Sequence, residues 1–327
     1  MILFGGMPGA IVVYGIGIVV AWRGLCWVGT ALAVAATLSS FILVESPLWT
    51  LRYRQDPVSA RAQLQAIRAT MDTEGLALAL DEYRGEESGP DKEQSRPSIS
   101  EIFDPKVRRP LLVMIGLLLL NNFNGVQAVG TYTGLILQDS FGENRNLAAL
   151  AVPSISPFAC ILAMPIADRW GRRPLLIASS AGMAISCTLL AVTLGWGTEL
   201  EFSDAVQRWM PLSSLVSFMF CFQIGMGPLP GLVITELVPP RVRGIGAAVV
   251  GVLAGLVGNA TQYAVLPLRD LIGPGWLFCI YAGGAFLGAI FIYFFIPETK
   301  GRSLEEINKA MRENSFCPWC STRSMLS

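Results

Sequence analysis

PETKGRSLEEI, residues 297–307, follows directly on a charge-free run, 271–296, and DRWGRRPLL, residues 168–176, begins where another such run, 147–167, stops. In both places charged side chains crowd together beside a hydrophobic stretch of at least about 20 residues, the length an α-helix needs to cross roughly 30 Å of hydrocarbon. Both strings therefore read as points where helices leave a membrane.

Working outward, the charge-free runs define eight candidate spans, at 1–20, 24–44, 110–138, 147–167, 174–197, 210–235, 244–268 and 271–296. The composition agrees: 327 residues are 53% hydrophobic and 15% charged, against about 25% charged in an ordinary soluble domain. The 24 basic residues sort sharply across these spans. Twenty fall on one side and four (Arg23, Arg145, Arg208, Arg269) on the other, with none inside a span. Leaving out the long segment 52–109 still gives ten against four. Cationic loops stay in the cytosol, so both termini are expected there. The chain opens on a hydrophobic run without a basic leader, so no signal peptide is read at Met1.

The divisions expected are 1–51, two helices; 52–107, a cytoplasmic segment with short helices; 108–297, six helices; and 298–327, a cytoplasmic tail. Asp56-Pro57 has the form of a helix start, Asp as N-cap and Pro at the first position. Arg84 to Pro97, rich in Gly, Glu, Ser and Pro, reads as a link. The chain contains no His, which removes histidine acid–base chemistry and histidine metal ligation. No nucleophile–base pair can be assembled, so no enzyme, cofactor or metal site is expected, and no nucleic-acid partner. Five of the seven cysteines (Cys26, Cys160, Cys187, Cys221, Cys279) lie in hydrophobic runs and read as small apolar residues. Cys317-Pro-Trp-Cys320 has a C-x-x-C form without a second ligand pair, and lipidation or no role fits it better than redox or zinc chemistry. Trp22, Trp27, Trp49, Trp196, Trp209 and Trp276 stand near span ends, as interfacial anchors do.

Five strings in order, VESPLWTL (Val44–Leu51), NNFNGVQAVGTYT (Asn121–Thr133), DRWGRRPLL, GMGPLPGLVITELVPPRVRG (Gly225–Gly244) and PETKGRSLEEI, resemble motifs of the sugar porter family of the major facilitator superfamily. Insect-type facilitated trehalose transporters are the nearest in character. The resemblance implies an all-α membrane fold of twelve helices, of which this chain matches the fifth onward: the last two of the amino half and all six of the carboxyl half. The chain is therefore expected to be an amino-truncated form that transports poorly alone. The implied function is facilitated diffusion of a sugar, trehalose or a hexose, by alternating access at the plasma membrane. The alternative is a non-transporting sugar sensor or interaction partner derived from a transporter.

The resemblance also assigns residues. Asn121, Asn122, Gln127, Tyr132, Phe222, Gln223 and Asn259 fall on substrate-path positions. Asp168, Arg172, Arg173, Glu236, Arg243 and Glu298 fall on a cytoplasmic gate of ion pairs. Read from the residues alone, Asn121 to Gln127 are equally interhelical glue, and Arg169, Arg172 and Arg173 equally topology anchors. Gly125 and Gly130 suggest bending. Departures from the family pattern are Gly231 and Leu256 where it has Trp, Ser156 where it has Asn, and Pro8 near a Gln. No Asp or Glu lies inside any span, which favours facilitated diffusion over proton coupling.

The sorting of basic residues is directly testable. A single cysteine at Ser327 in a cysteine-free variant is expected to react with a membrane-impermeant maleimide only after permeabilisation of the cell. Labelling of that position on intact cells overturns the orientation.

Overall fold

The computed structural model describes residues 22–41, 105–197, 199–237 and 242–298, with isolated positions between 15 and 63. The first candidate span, 1–20, the loop beyond Gln63, Trp49 and the tail cysteines lie largely or wholly outside the described residues. The described elements are α1 (Trp22–Ser40), α2 (Pro105–Asn122), α3 (Val126–Ile136), α4 (Gln138–Phe141), α5 (Arg145–Trp170), α6 (Arg172–Trp196), α7 (Asp204–Ile224), α8 (Leu229–Leu237), α9 (Arg243–Ile272) and α10 (Pro274–Phe295), with one 3₁₀ turn at Gly142–Asn144.

The chain divides into two units, and the segment around α1 belongs to the smaller, Val20–Arg96. No residue of α1 is buried within it. Its hydroxyls turn inward on the helix: Thr30 donates to the Cys26 carbonyl and Thr37 to that of Ala33. That leaves fewer polar groups seeking partners outside the helix. In the same unit Asp56 caps a helix start as expected: the Val58 and Ser59 amides donate to its Oδ1 at 3.0 and 3.1 Å, and the Ser59 hydroxyl to Oδ2 at 2.6 Å. The Ser59 hydroxyl, then the Ser59 amide, hold the Asp56 carboxyl below its ordinary 3.8.

The larger unit holds six helical segments long and apolar enough to cross a membrane: 107–136, 148–167, 172–196, 204–234, 244–272 and 274–295. They coincide with the last six candidate spans. The second candidate coincides with α1, which is not among the six. Arg23 and four Ser and Thr residues dilute its apolar content.

Two of the six spans are interrupted. The first, α2–α3, breaks at Phe123–Gly125, where Gly125 takes φ +86°, and a Cβ there would stand 2.7 Å from the Tyr281 ring. Only glycine meets both demands at low cost. Gly130, by contrast, lies in regular helix. The second span, α7–α8, breaks at Gly225–Pro228.

α6 is the central helix: half of its most apolar window is buried, against 17% for α9. Met183, Leu190, Phe218, Met114, Leu117 and Ile292 form the dry interior, while Phe158, Ile161, Ile185 and Phe286 are exposed on the outside. Apolar residues both inside and out are what a lipid-embedded bundle requires. α6 and α10 cross closely, because a Cβ on Gly275 would approach the Gly195 Cα to 2.4 Å. Small residues at a crossing let backbones meet where lipid supplies no hydrophobic drive. Trp196 and Trp276 stack edge-on beside it, 5.4 Å apart.

Gly275→Leu is expected to lower stability by about 1–3 kcal/mol by overpacking this crossing, read as an earlier melt in detergent. Gly283→Leu, where a Cβ meets nothing within 4 Å, should leave the melt unchanged.

Candidate functional site

The two helix breaks are joined by a single chain of hydrogen bonds. The Val126 amide, first of α3, donates to Asn124 Oδ1 at 3.0 Å, and Asn124 Nδ2 donates to Asn121 Oδ1 at 2.8 Å. Asn121 Nδ2 donates in turn to the Met226 carbonyl at 3.4 Å, inside the second break. The Met226 amide donates to Ser179 Oγ at 3.0 Å, and the Ser179 hydroxyl to the Cys221 carbonyl at 2.7 Å. Cys221 is the carbonyl that the break strands, because the Gly225 amide turns to Phe222 instead. α2, α3, α6 and α7 are thereby tied through side chains. Asn122 makes a separate tie, donating to the Leu118 carbonyl at 2.9 Å and to that of Ala254 in α9 at 3.2 Å.

Asn121 thus has both amide atoms engaged, and Asn122 both amide hydrogens. Gln127 differs: it is half-buried and its side-chain amide makes no hydrogen bond among the described residues. It lies against α9, where a Cβ on Gly258 would fall 3.4 Å from Nε2. One turn on, Thr131 Oγ1 accepts from Gln262 Nε2 at 2.9 Å. Gln127 and Thr131 share a face of α3, and Asn259 and Gln262 a face of α9, by the i, i+3/i+4 rule. Asn259 is exposed and donates to the Gly255 carbonyl at 2.8 Å. These four make a polar strip on the open side of the bundle. Gln262 was missed in the sequence because a lone Gln among apolar residues carries no motif; its i+3 spacing from Asn259 was the available signal.

Phe222 packs partly against the core. Gln223 folds back over the second break, its Oε1 2.8 Å from where a Cβ on Gly227 would stand. Tyr132 is set apart from the strip. It faces the interior with Ala128 and Ile136, lining a cavity with Leu277 and Phe278.

At the charged end of the bundle, Glu298 sits on the first turn of α6. Its Oε1 accepts from the Arg172 amide at 3.0 Å and its Oε2 from the Arg173 amide at 3.3 Å. Gly171 makes this approach possible: its φ is +94°, and a Cβ would stand 2.7 Å from Glu298 Oε2. The buried Arg173 guanidinium reaches the other way. It lies 5.3 Å from the Tyr293 ring centroid and donates through Nη2 to the Tyr293 carbonyl, leaving Nε without an acceptor. A carboxylate on one helix's amino end and a cation on its neighbour's carboxyl end both follow the macrodipole. So Arg173 and Glu298 staple α6 to α10. The side chains of Asp168, Glu236 and Arg243, the other expected gate residues, lie outside the described ones.

Comparison with known proteins identifies the family and the fold. The family model described as "Sugar (and other) transporter" matches residues 1–311. The chain is 28% identical over 311 residues to "Sugar transporter ERD6-like 11" of Arabidopsis thaliana, covering 94% of this chain and 64% of that one. It is 30% identical over 318 residues to "Facilitated trehalose transporter Tret1" of Polypedilum vanderplanki, covering 94% and 60%. It thus spans less than two thirds of these relatives' length. Among solved structures it resembles the inward-open xylose transporter XylE from E. coli, with TM-score 0.69 and 22% identity over 94% of this chain and 63% of that one. A second XylE structure, titled as a major facilitator superfamily proton:xylose symporter, gives TM-score 0.64 at 21% identity, over 88% of this chain and 58% of that one. The fold is therefore a major facilitator fold in part, the chain is a multi-pass membrane protein, and it belongs to the sugar (and other) transporter family.

Proposed function

We propose that the polar strip on α3 and α9 is one wall of a sugar path, and that the protein moves a sugar, trehalose or a hexose, down its gradient by alternating access. The observation that carries this reading is Gln127. A half-buried amide with no protein partner is costly in a bilayer unless a ligand or cavity water satisfies it. It sits just past a broken helix, where transporters of this general construction place their substrates. Thr131, Asn259 and Gln262 extend the same face with the donors and acceptors a polyhydroxylated ligand exchanges for water. Phe222 and Gln223, four and three residues before the tied Met226, belong to the neighbouring wall. Asn121 and Asn122 act there chiefly by fixing the breaks, and Tyr132 by supporting α3 from behind.

Within the six described spans Asp and Glu occur only in terminal turns, as Asp204 and Asp270, which supports movement down a gradient rather than proton coupling. The staple between Arg173 and Glu298 forms the fixed core of a gate that Asp168, Arg172, Glu236 and Arg243 complete. In this reading residues 52–107 and 298–327 face the cytosol, both termini are cytoplasmic and the membrane is the plasma membrane. The relatives named for trehalose transport support that disaccharide as the first substrate to test.

Labelled trehalose and glucose binding to the purified chain is expected to saturate. Gln127→Leu should weaken it about three- to tenfold, the value of one hydrogen bond of roughly 0.5–1.5 kcal/mol. Equal binding of every sugar by Gln127→Leu and wild type removes Gln127 from the path.

Glu298→Gln should cost about 0.5–2 kcal/mol of thermal stability, as expected of a partly buried charge on a helix terminus, and Gly171→Ala at least as much. Sugar binding by the surviving folded protein should be unchanged in both. A loss of sugar binding at an unchanged melt contradicts the structural role of the staple.

A further inference from the structure

The three residues of the first helix break rest, one each, on three places in α6 and α10. The Phe123 carbonyl lies on Gly284, where an added Cβ would collide with its oxygen and stand 3.0 Å from its carbon. The Asn124 carbonyl accepts from the Cys187 thiol of α6 at 3.8 Å. Gly125 lies on Tyr281, whose ring is 2.7 Å from where a Cβ on that glycine would stand. Tyr281 and Gly284, three residues apart, share a face of α10. The Tyr281 ring is itself fixed edge-on against Phe278, with centroids 5.9 Å apart. Asn124, Cys187 and Tyr281 are 2%, 0% and 5% exposed, so no water reaches these contacts.

The Asn124 carbonyl depends on this seat. Regular bonding in α3 resumes only with the Val129 amide on the Gly125 carbonyl, and among the described residues no backbone amide reaches Asn124. A thiol is a weak donor, but it is the one that meets this carbonyl. The break is also the softer partner. α10 is held to α6 by the Gly195–Gly275 crossing and by Arg173 and Glu298. A side chain added at Gly284 therefore displaces the break rather than α10. Gln127 is the second residue of α3 and moves with it.

We infer that Gly284, Cys187 and Tyr281 are positioning residues of the sugar path. By seating residues 123–125, they set where α3 presents Gln127 and Thr131 to Asn259 and Gln262 on α9. The inference rests on reading that strip as a sugar path, yet the position of α3 can be measured with no sugar present.

Thr131→Cys and Gln262→Cys are introduced together in the full chain with its native cysteines kept. The protein in nanodiscs is treated with a short bifunctional methanethiosulfonate, and the linked 131–262 peptides are quantified by mass spectrometry well below the melting temperature. Gly284→Ala is expected to cut this link about fivefold or more and Cys187→Ala about twofold, because a packed interior passes a displacement on. Gly283→Ala, whose Cβ meets nothing within 4 Å, should leave it unchanged. A merely structural role would lower the melt without altering the link in folded protein. With α3 and α9 native, Gly284→Ala should weaken trehalose and glucose binding about fivefold, and Gln127→Leu should then add less than it does alone, as residues acting through one another do. Undiminished linking in both Gly284→Ala and Cys187→Ala overturns the socket, and Cys187→Ala decides alone where Gly284→Ala elutes as aggregate. Additive losses of sugar binding also overturn it. Reduced linking in a protein whose wild type binds neither sugar upholds the socket and sinks the path reading instead.

Discussion

The constraint on which the bundle depends is that a backbone amide surrounded by hydrocarbon has no water to turn to. At three places where a described helix stops, a side chain takes over. Asn124 receives the first amide of α3, Ser179 serves both sides of the Gly225–Pro228 break, and Glu298 receives two amides at the start of α6. Leaving one such group unmet costs about 1–3 kcal/mol. Three unmet breaks would consume much of the stability of a domain this size. The breaks exist only because these partners are in place.

The same economy explains how helices hold together without a hydrophobic drive between them. α6 and α10 meet through glycine at one end and through the crossed charges of Arg173 and Glu298 at the other. The first contact gains dispersion at short range. The second gains from two macrodipoles at once, since each charge lies at the end that favours its sign. A clamp at both ends makes this pair the rigid axis against which the broken spans are set. α9 is mostly unburied, and it carries the polar strip on a face the rest of the bundle leaves open.

The fold was largely legible because charge and hydropathy respond to one simple solvent boundary. Six spans, the Asp56 cap and the bend at Gly125 all follow from local rules. Gly130 did not bend because its turn keeps ordinary helical bonds and needs no positive φ; glycine permits a break without dictating one. The site was less legible. Asn121 and Asn122 sit on positions that the family resemblance gives to substrate, yet their amides are committed to Met226, Asn124 and Ala254. Nothing in the string NNFNGVQ tells a ligand amide from a structural one, because that depends on which carbonyl lies opposite. Gln262 went unseen for the converse reason, its partner Thr131 being 131 residues away.

α3 is where these observations meet. It is only 11 residues long, too short to be stable as an isolated helix, and Gly125 uncouples it from α2. Its position is therefore set by what it touches: Asn124 at its start, Gln262 on its front, and the apolar cavity wall on its back. Each hydrogen bond is worth about 0.5–1.5 kcal/mol net, comparable to the 1.4 kcal/mol that shifts a two-state ratio tenfold. An element held by so few terms of that size responds to the loss or gain of any one of them. The cavity wall at Tyr132 and the amide of Gln127 are thus carried by the same 11 residues.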